Sequence, residues 1–336
     1  MSSQAAFIGQ HFAFASGKTA TLKQHLLSQS DVDRLLGSHS LQEFERALGE
    51  LKLVTSALTG AEGADSLLLS TERWMKSEVL AMSPAVKQPV FGILWLTGDS
   101  PRLAYLLKKY HGLSSEVSTE PETSLSMWDP EAVKNAVEGK GDVGSLPKTV
   151  LTFIASMKKL SKPSPWAIDR AVARFIAERK LSLARASGSK EILRYVRHSI
   201  DITNIRTVLR LPSTLQDDAA DSLIPDGFIP LAKLLVPKET LRSVIAVSDL
   251  YAPFIPKKGG VAPIAIEQIG AAILAEDIGR MWTVPLTVEP VFAFAAMVMA
   301  HVRLLRAIAI GKRNRLSPQE IKQILPPFIA ASQFPV

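Results

Sequence analysis

The sequence predicts an all-α protein made of three related helical units. Three observations lead there: apolar residues recur at the three- and four-residue spacing of amphipathic helices along most of the chain, period-2 alternation between turn pairs is nearly absent, and the chain echoes itself at a period of about 100 residues.

The first clear helix signal lies in "SQSDVDRLLGSHSLQEFERALGELKLV", where Ser40 or His39 precedes Leu41, Phe44, Leu48 and Leu51, with Glu43 early and Lys52 late. Similar runs predict helices over 65–82, 88–96, 101–110, 146–160, 165–184, 190–211, 238–251, 263–282, 290–311 and 317–325. Proline and glycine mark connectors at 82–89, 118–130, 138–147, 162–165, 224–230 and 255–263, of which 118–130 is the best linker candidate.

The repeat emerges when "GDSPRLAYLLKKYHGLS", "SIDITNIRTVLRLPSTL" and "MAHVRLLRAIAIGKRNRLS" are aligned on Asp99, Asp201 and His301. These anchors are 201 − 99 = 102 and 301 − 201 = 100 residues apart. Three residues on come Arg102, Asn204 and Leu304, then Leu103, Ile205 and Leu305, while Arg206 and Arg306 coincide where the first stretch has Ala104. A second echo links "RLLGSHSLQEFERAL" from Arg34 with "KLLVPKETLRSVIAV" from Lys233, close to two periods away. Division into 1–118, 119–218 and 219–336 follows.

At 336 residues and 47% hydrophobic content the chain can bury a substantial core. It has no cysteine, which excludes disulfides, thiolate metal sites and thiol catalysis and fits a reducing compartment. His11, Ser16 and Lys18 interrupt any export-signal block at the N-terminus, so a cytoplasmic protein is expected. The apolar run 291–300 ends at His301 and Arg303, too short for a span of about 20 residues, and is expected to be a buried helix. The net charge of +7 favours an anionic partner, yet the cations are scattered, as on solvated helix faces.

Motifs for chemistry are weak. "SGKT" at 16–19 suggests a phosphate loop, but Phe12 stands where its first glycine belongs, and a helix start is the preferred reading. The six histidines form no ligand-like cluster, and His198, three residues before Asp201, is read as half of a surface ion pair. Ser145 lacks a nucleophile elbow. Neighbouring carboxylates at Glu276 and Asp277, and at Asp217 and Asp218, read as solvated faces or caps. The five tryptophans read as core or packing residues rather than a stacking row for bases. No catalytic residue, cofactor, metal or small-molecule substrate is indicated. Asp201 and Asn204 share a helix face with Ile200, Ile205 and Val208, the pattern of a buried polar tie between neighbouring segments.

"SIDITNIRTVLR", with its Asp-x-x-Asn-Ile-Arg core, resembles the signature of the C subunit of V-type and A-type ATP synthases, the counterpart of the d subunit in eukaryotic V-ATPases. "VEPVFAFAAMVMAHVRLLRAIAIGKRNRLSPQEIKQIL" resembles that family's closing segment, and "FAFASGKTATLKQHLLSQSDVDRLLGSHSLQEFERAL" is similar to its opening helices. The resemblance implies a funnel-shaped, pseudo-threefold, all-helical subunit with no catalysis of its own. Its partners would be the central axle, whose foot it receives, and the membrane rotor ring on whose cytoplasmic face it sits. The family-motif positions are Asp201, Asn204, Ile205, Arg206, Arg306, Gly311 and Lys312. Two departures mark a divergent member: "MVMAHV" with His301 replaces the family's charged helix with a glutamate near the anchor, and Pro101-Arg102 replaces its usual step in the first stretch. The rival reading is a basic, all-helical nucleic-acid-binding protein, whose affinity would fall steeply with salt.

Overall fold

The computed structural model describes residues 2–57, 60–113, 120–121, 124–210, 222–235, 263–326 and 328–334, and within them every regular element is a helix. In chain order these are α1 (Ser2–Lys23), α2 (Gln29–Gly37), α3 (Leu41–Gly49), α4 (Lys52–Thr55) and α5 (Ala64–Ala81), then α6 (Gly92–Tyr110), α7 (Pro130–Glu138) and α8 (Lys148–Lys158). They continue as α9 (Pro165–Ser187), α10 (Lys190–Arg210), α11 (Leu231–Leu234), α12 (Pro263–Trp282), α13 (Glu289–Arg313) and α14 (Pro318–Ile324). Short 3₁₀ turns occupy Gln88–Phe91 and Ala331–Gln333.

Local chemistry sets many boundaries. The Ser40 side chain accepts the Glu43 N–H to open α3, and Ser28 with Asp31 and Ser317 with Glu320 form reciprocal capping boxes at α2 and α14. Helix α7 begins with Asp129 as cap and Pro130 in its first turn, and ends on Gly139 in the left-handed conformation.

Three expectations need correction. The helices expected over 88–96 and 101–110 are one helix, α6, with Pro101 inside it. Proline removes one helical hydrogen bond, but Leu96, Leu103, Leu106 and Leu107 on either side are buried in one core, and that packing carries the helix through. The linker expected over 118–130 runs into the cap of α7, a helix the periodicity does not predict. Nor does it predict helix α1, whose apolar residues are spread around the helix rather than gathered into a stripe. The expected helix over 238–251 and the boundaries at 118/119 and 218/219 lie outside the described residues.

The chain divides into two compact units. Unit 1 comprises Met1–Pro89, Ser189–Ser199 and Ile245–Val336; unit 2 comprises Val90–Gly188 and Ile200–Val244. In unit 1, α13 is the central element, with α5, α12, α1, α3 and α14 packed against it. Its run from Val291 to Val298 is buried nearly all round, with Phe292 and Phe294 fully enclosed. Among the described residues α13 is the helix long and apolar enough to cross a membrane, and those apolar faces are spent on the core of unit 1. In unit 2, α6 takes the central place against α9, α7 and α8, around Leu103, Leu107, Val150, Ile154, Ile168 and Val172.

The helices recur along the sequence. Helices α2, α7 and α11 begin at 29, 130 and 231, steps of 101 and 101; α5, α9 and α12 begin at 64, 165 and 263, steps of 101 and 98; α6, α10 and α13 begin at 92, 190 and 289, steps of 98 and 99.

Phe292 is fully buried and meets the Tyr195 ring edge-on at 5.7 Å between centroids. Phe292→Ala is expected to cost about 3 to 5 kcal/mol. Chemical denaturation followed by circular dichroism measures this directly, and a loss below about 1 kcal/mol would contradict the placement of α13 at the centre of unit 1.

Candidate functional site

The polar residues singled out by the sequence are buried inside helices and bond to main chain. Asp201, on α10, is fully buried; its carboxylate accepts the Phe228 N–H at 2.9 Å and the Ile229 N–H at 3.1 Å. One turn on, Asn204 is 1% exposed and bonds both main-chain groups of Ile224, donating Nδ2–H to the carbonyl and accepting the N–H at Oδ1, each at 2.8 Å. Side chains thus satisfy main-chain groups of a segment that lies in no helix and is buried at Ile224 and Ile229. Gly227 belongs to the same arrangement. A Cβ there would overlap Asp201 Oδ1 and lie 3.0 Å from Cγ, so only glycine admits the carboxylate.

The other two anchors repeat the arrangement. Asp99, on α6, is 4% exposed and accepts the Met127 N–H at 2.7 Å, 28 residues downstream. His301, on α13, is 2% exposed and bonds the Ile329 carbonyl through Nε2 at 2.9 Å, again 28 residues downstream. Asp201 reaches 27 and 28 residues ahead. A buried polar group on each of α6, α10 and α13 therefore bonds main chain 27 or 28 residues later. At the position three residues after the anchor the chemistry varies: Arg102 pairs with Glu120 at 2.6 Å, Asn204 holds Ile224, and Leu304 lines a cavity of about 530 Å³.

In His301, Nδ1 accepts the Leu27 N–H at 3.3 Å, and since a carbonyl can only accept, Nε2 carries the proton. Burial lowers its pKa to about 4, against a smaller raising effect of the Ile329 carbonyl.

Two family-motif residues near the end of α13 are also structural. A Cβ on Gly311 would come within 2.6 Å of Ile321 Cγ1, so the glycine lets α14 pack closely. Lys312 is 9% exposed and donates to the Leu36 and Ser38 carbonyls at 2.7 and 2.6 Å, closing the C-terminal end of α2 with a positive charge. Burial holds its pKa below the ordinary lysine value, partly offset by Glu43. Arg306 pairs with Glu72 at 3.3 Å. Ile205 is fully buried and Arg206 half-buried. The seven predicted positions are divided between the units: Asp201, Asn204, Ile205 and Arg206 belong to unit 2, and Arg306, Gly311 and Lys312 to unit 1.

Several expectations are overturned. His198 is buried, not at the surface, and its Nδ1 meets Asp277 at 2.6 Å. Asp277 is no solvated carboxylate: at 2% exposure it also accepts from Arg194 Nε at 2.8 Å, while its neighbour Glu276 stays exposed and pairs with Arg280. Adjacent carboxylates on a helix point about 100° apart, which is why one can be buried and the other not. Asp217 and Asp218 lie outside the described residues. "SGKT" is not a helix start; it lies well inside α1, where the main-chain N–H groups serve the helix, Lys18 pairs with Glu78 and Ser16 accepts the Leu286 N–H. Trp95 and Trp128 are core residues, whereas Trp166 is 42% exposed with the Arg170 guanidinium 3.8 Å from its ring centre.

Against known proteins, a family model described as ATP synthase (C/AC39) subunit matches residues 15–324. No curated protein matches the chain.

Asp201→Ala leaves the buried Ile229 N–H and the part-buried Phe228 N–H without their acceptor, a loss of about 1 to 4 kcal/mol. Gly227→Ala is expected to match it, and the double variant to lose less than the two single losses combined, because both disrupt one contact. Thermal melts decide; unchanged stability in Asp201→Ala with failed assembly would move Asp201 from the interior to an interface.

His301 gives a pH signature. Its folded pKa of about 4 lies below the unfolded value near 6.5, so its neutral form's contribution is complete above pH 6.5 and is lost as pH falls toward 4, about 3 kcal/mol in all. His301→Gln cannot titrate, so its stability deficit relative to the parent should shrink by that amount between pH 7 and pH 4 in urea titrations. A constant deficit would mean that His301 titrates alike in both states.

Proposed function

The chain belongs to the ATP synthase (C/AC39) subunit family, and from that premise we propose that it is a non-catalytic central-stalk subunit of a V/A-type rotary ATPase. In this role it links the axle to the membrane rotor ring on the cytoplasmic side and passes torque between them, with the axle subunits and the ring as its partners. The three stretches 1–118, 119–218 and 219–336 are its three related domains, arranged as a pseudo-threefold funnel.

The observation that carries this reading is the thrice-used tie from Asp99, Asp201 and His301 to main chain 27 or 28 residues ahead. A torque-passing spacer must be stiff, and buried, fully bonded polar groups fix one packing arrangement where an apolar contact would tolerate sliding. Helix pairing supports the domain division. In unit 2, α6 of the first stretch packs on α9 of the second; in unit 1, α10 of the second bonds Asp277 of α12 in the third, and α13 of the third packs on α5 of the first. Each of these pairings joins the later long helix of one stretch to the earlier long helix of another. The titratable groups that might have suggested catalysis are engaged in such bonds.

The chain, tagged and purified gently from its source cells, should bring down axle and ring subunits of a rotary ATPase. Its removal should leave soluble ATP hydrolysis intact while abolishing ATP-driven ion transport in membrane vesicles. Recovery without any rotary ATPase subunit, or ion transport undiminished by its removal, would refute the assignment.

A further inference from the structure

Unit 2 carries an open groove of about 560 Å³ formed by α7, the loop after it, α8 and the end of α6. Its floor is aliphatic, with Val143, Leu151 and the buried Ile154. Its edges are basic: Lys140, Lys158 and Lys159 line it and no acidic residue does. Tyr110 forms one wall, 47% exposed, with the Lys158 ammonium 4.8 Å from its ring centre. Leu160, next to Lys159, is 43% exposed.

The loop that presents Lys140 is built rather than slack. Gly139 and Gly141 flank it at φ of 74° and 69°, and a Cβ on Gly141 would come within 2.6 Å of the Asn135 amide. Asn135 Nδ2 donates to the Asp142 carbonyl, and the Asp142 carboxylate accepts the Gly144 N–H at 2.8 Å, which engages the nearest loop acid within the loop itself.

We propose that this groove seats an acidic amphipathic helix of a protein partner, its apolar face on Val143, Leu151 and Ile154 and its carboxylates against Lys140, Lys158 and Lys159. An aliphatic floor with charged edges is what a helix with one apolar stripe and flanking charges complements, and the sign of the edges selects acidic flanks. A nucleic acid fits less well, because Tyr110, the aromatic in the lining, already has Lys158 over its ring and the floor offers no surface for stacking bases. The inference goes beyond the rotary-subunit reading and does not depend on it.

The probe is a labelled 18-residue helical peptide with leucines at i, i+3, i+4 and i+7 and glutamates on both flanks, titrated against the full chain by fluorescence anisotropy. Companions are the same peptide with lysines for glutamates, and a scrambled acidic version of equal charge. The parent should bind the acidic helix at least tenfold more tightly than either companion. Lys140→Glu/Lys159→Glu should weaken binding at least tenfold at moderate salt, whereas Lys52→Glu/Lys148→Glu, an equal charge change at exposed positions outside the groove, should change it less than threefold. Circular dichroism and melting temperature verify that both variants fold; if the groove pair does not, Tyr110→Ala with Lys140→Ser replaces it. Equal weakening by both pairs, or equal affinity for the scrambled peptide, reduces the effect to net charge and overturns the proposal. So does groove-dependent sedimentation with phosphatidylserine vesicles in the absence of acidic-peptide binding, which would assign the groove to a lipid surface.

Discussion

The fold depends on a requirement of buried main chain: every N–H and carbonyl removed from water needs a partner. Helices meet it internally, but irregular segments do not, and α6, α10 and α13 each bond one from a buried polar side chain. Asp201 and Asn204 solve the problem for 224–229 by offering three acceptor atoms and a donor from one helix face. The same helix face supplies Ile200, Ile205 and Val208 to the core, so the polar tie and the hydrophobic contact fix the same register. Leaving one such group unpaired costs about 1 to 3 kcal/mol, a substantial fraction of a typical folding free energy of about 5 to 15 kcal/mol.

The three ties also show how such a device diverges. A carboxylate receives main-chain N–H groups in two stretches; in the third a histidine faces a carbonyl, which no ionised carboxylate could bond. His301 must donate through Nε2, and its free Nδ1 then takes the Leu27 N–H. The exchange thus preserves the tie while reversing the direction of its hydrogen bond. Three residues on, Leu304 replaces the polar residue and borders a cavity instead of bonding the backbone. A carbonyl partner requires a neutral donor at this position, and His301 supplies one through Nε2.

Much of this was legible in the sequence for a physical reason. Helical periodicity is strong where one face meets a core: α12 has the expected bounds, and α3, α5 and α13 lie within three residues of theirs. The repeat was legible because its anchors are polar residues in apolar runs, which few backgrounds tolerate. What could not be read was the partner of each anchor. Nothing local to Asp201 announces Phe228 or Ile229, although the Asp226-Gly227 pair marks a turn, and nothing near His198 announces Asp277, which lies 79 residues on. Expecting His198 and Asp277 at the surface followed the usual behaviour of charged residues; mutual pairing, with Arg194, is what permits their burial.

Full hydrogen bonding limits what these buried polar groups can do chemically. A catalytic carboxylate or imidazole keeps an atom free for substrate and is held in a cleft with access to it. Asp201 spends both oxygens on N–H donors, and His301 spends both ring nitrogens and has its pKa lowered to about 4, below the range useful for proton transfer near neutrality. Asp277 likewise spends both oxygens, on Arg194 and His198. These groups confer rigidity because they are fully engaged, and full engagement is incompatible with chemistry. Under the proposed role as a torque-passing subunit, groups engaged in this way serve to hold a shape.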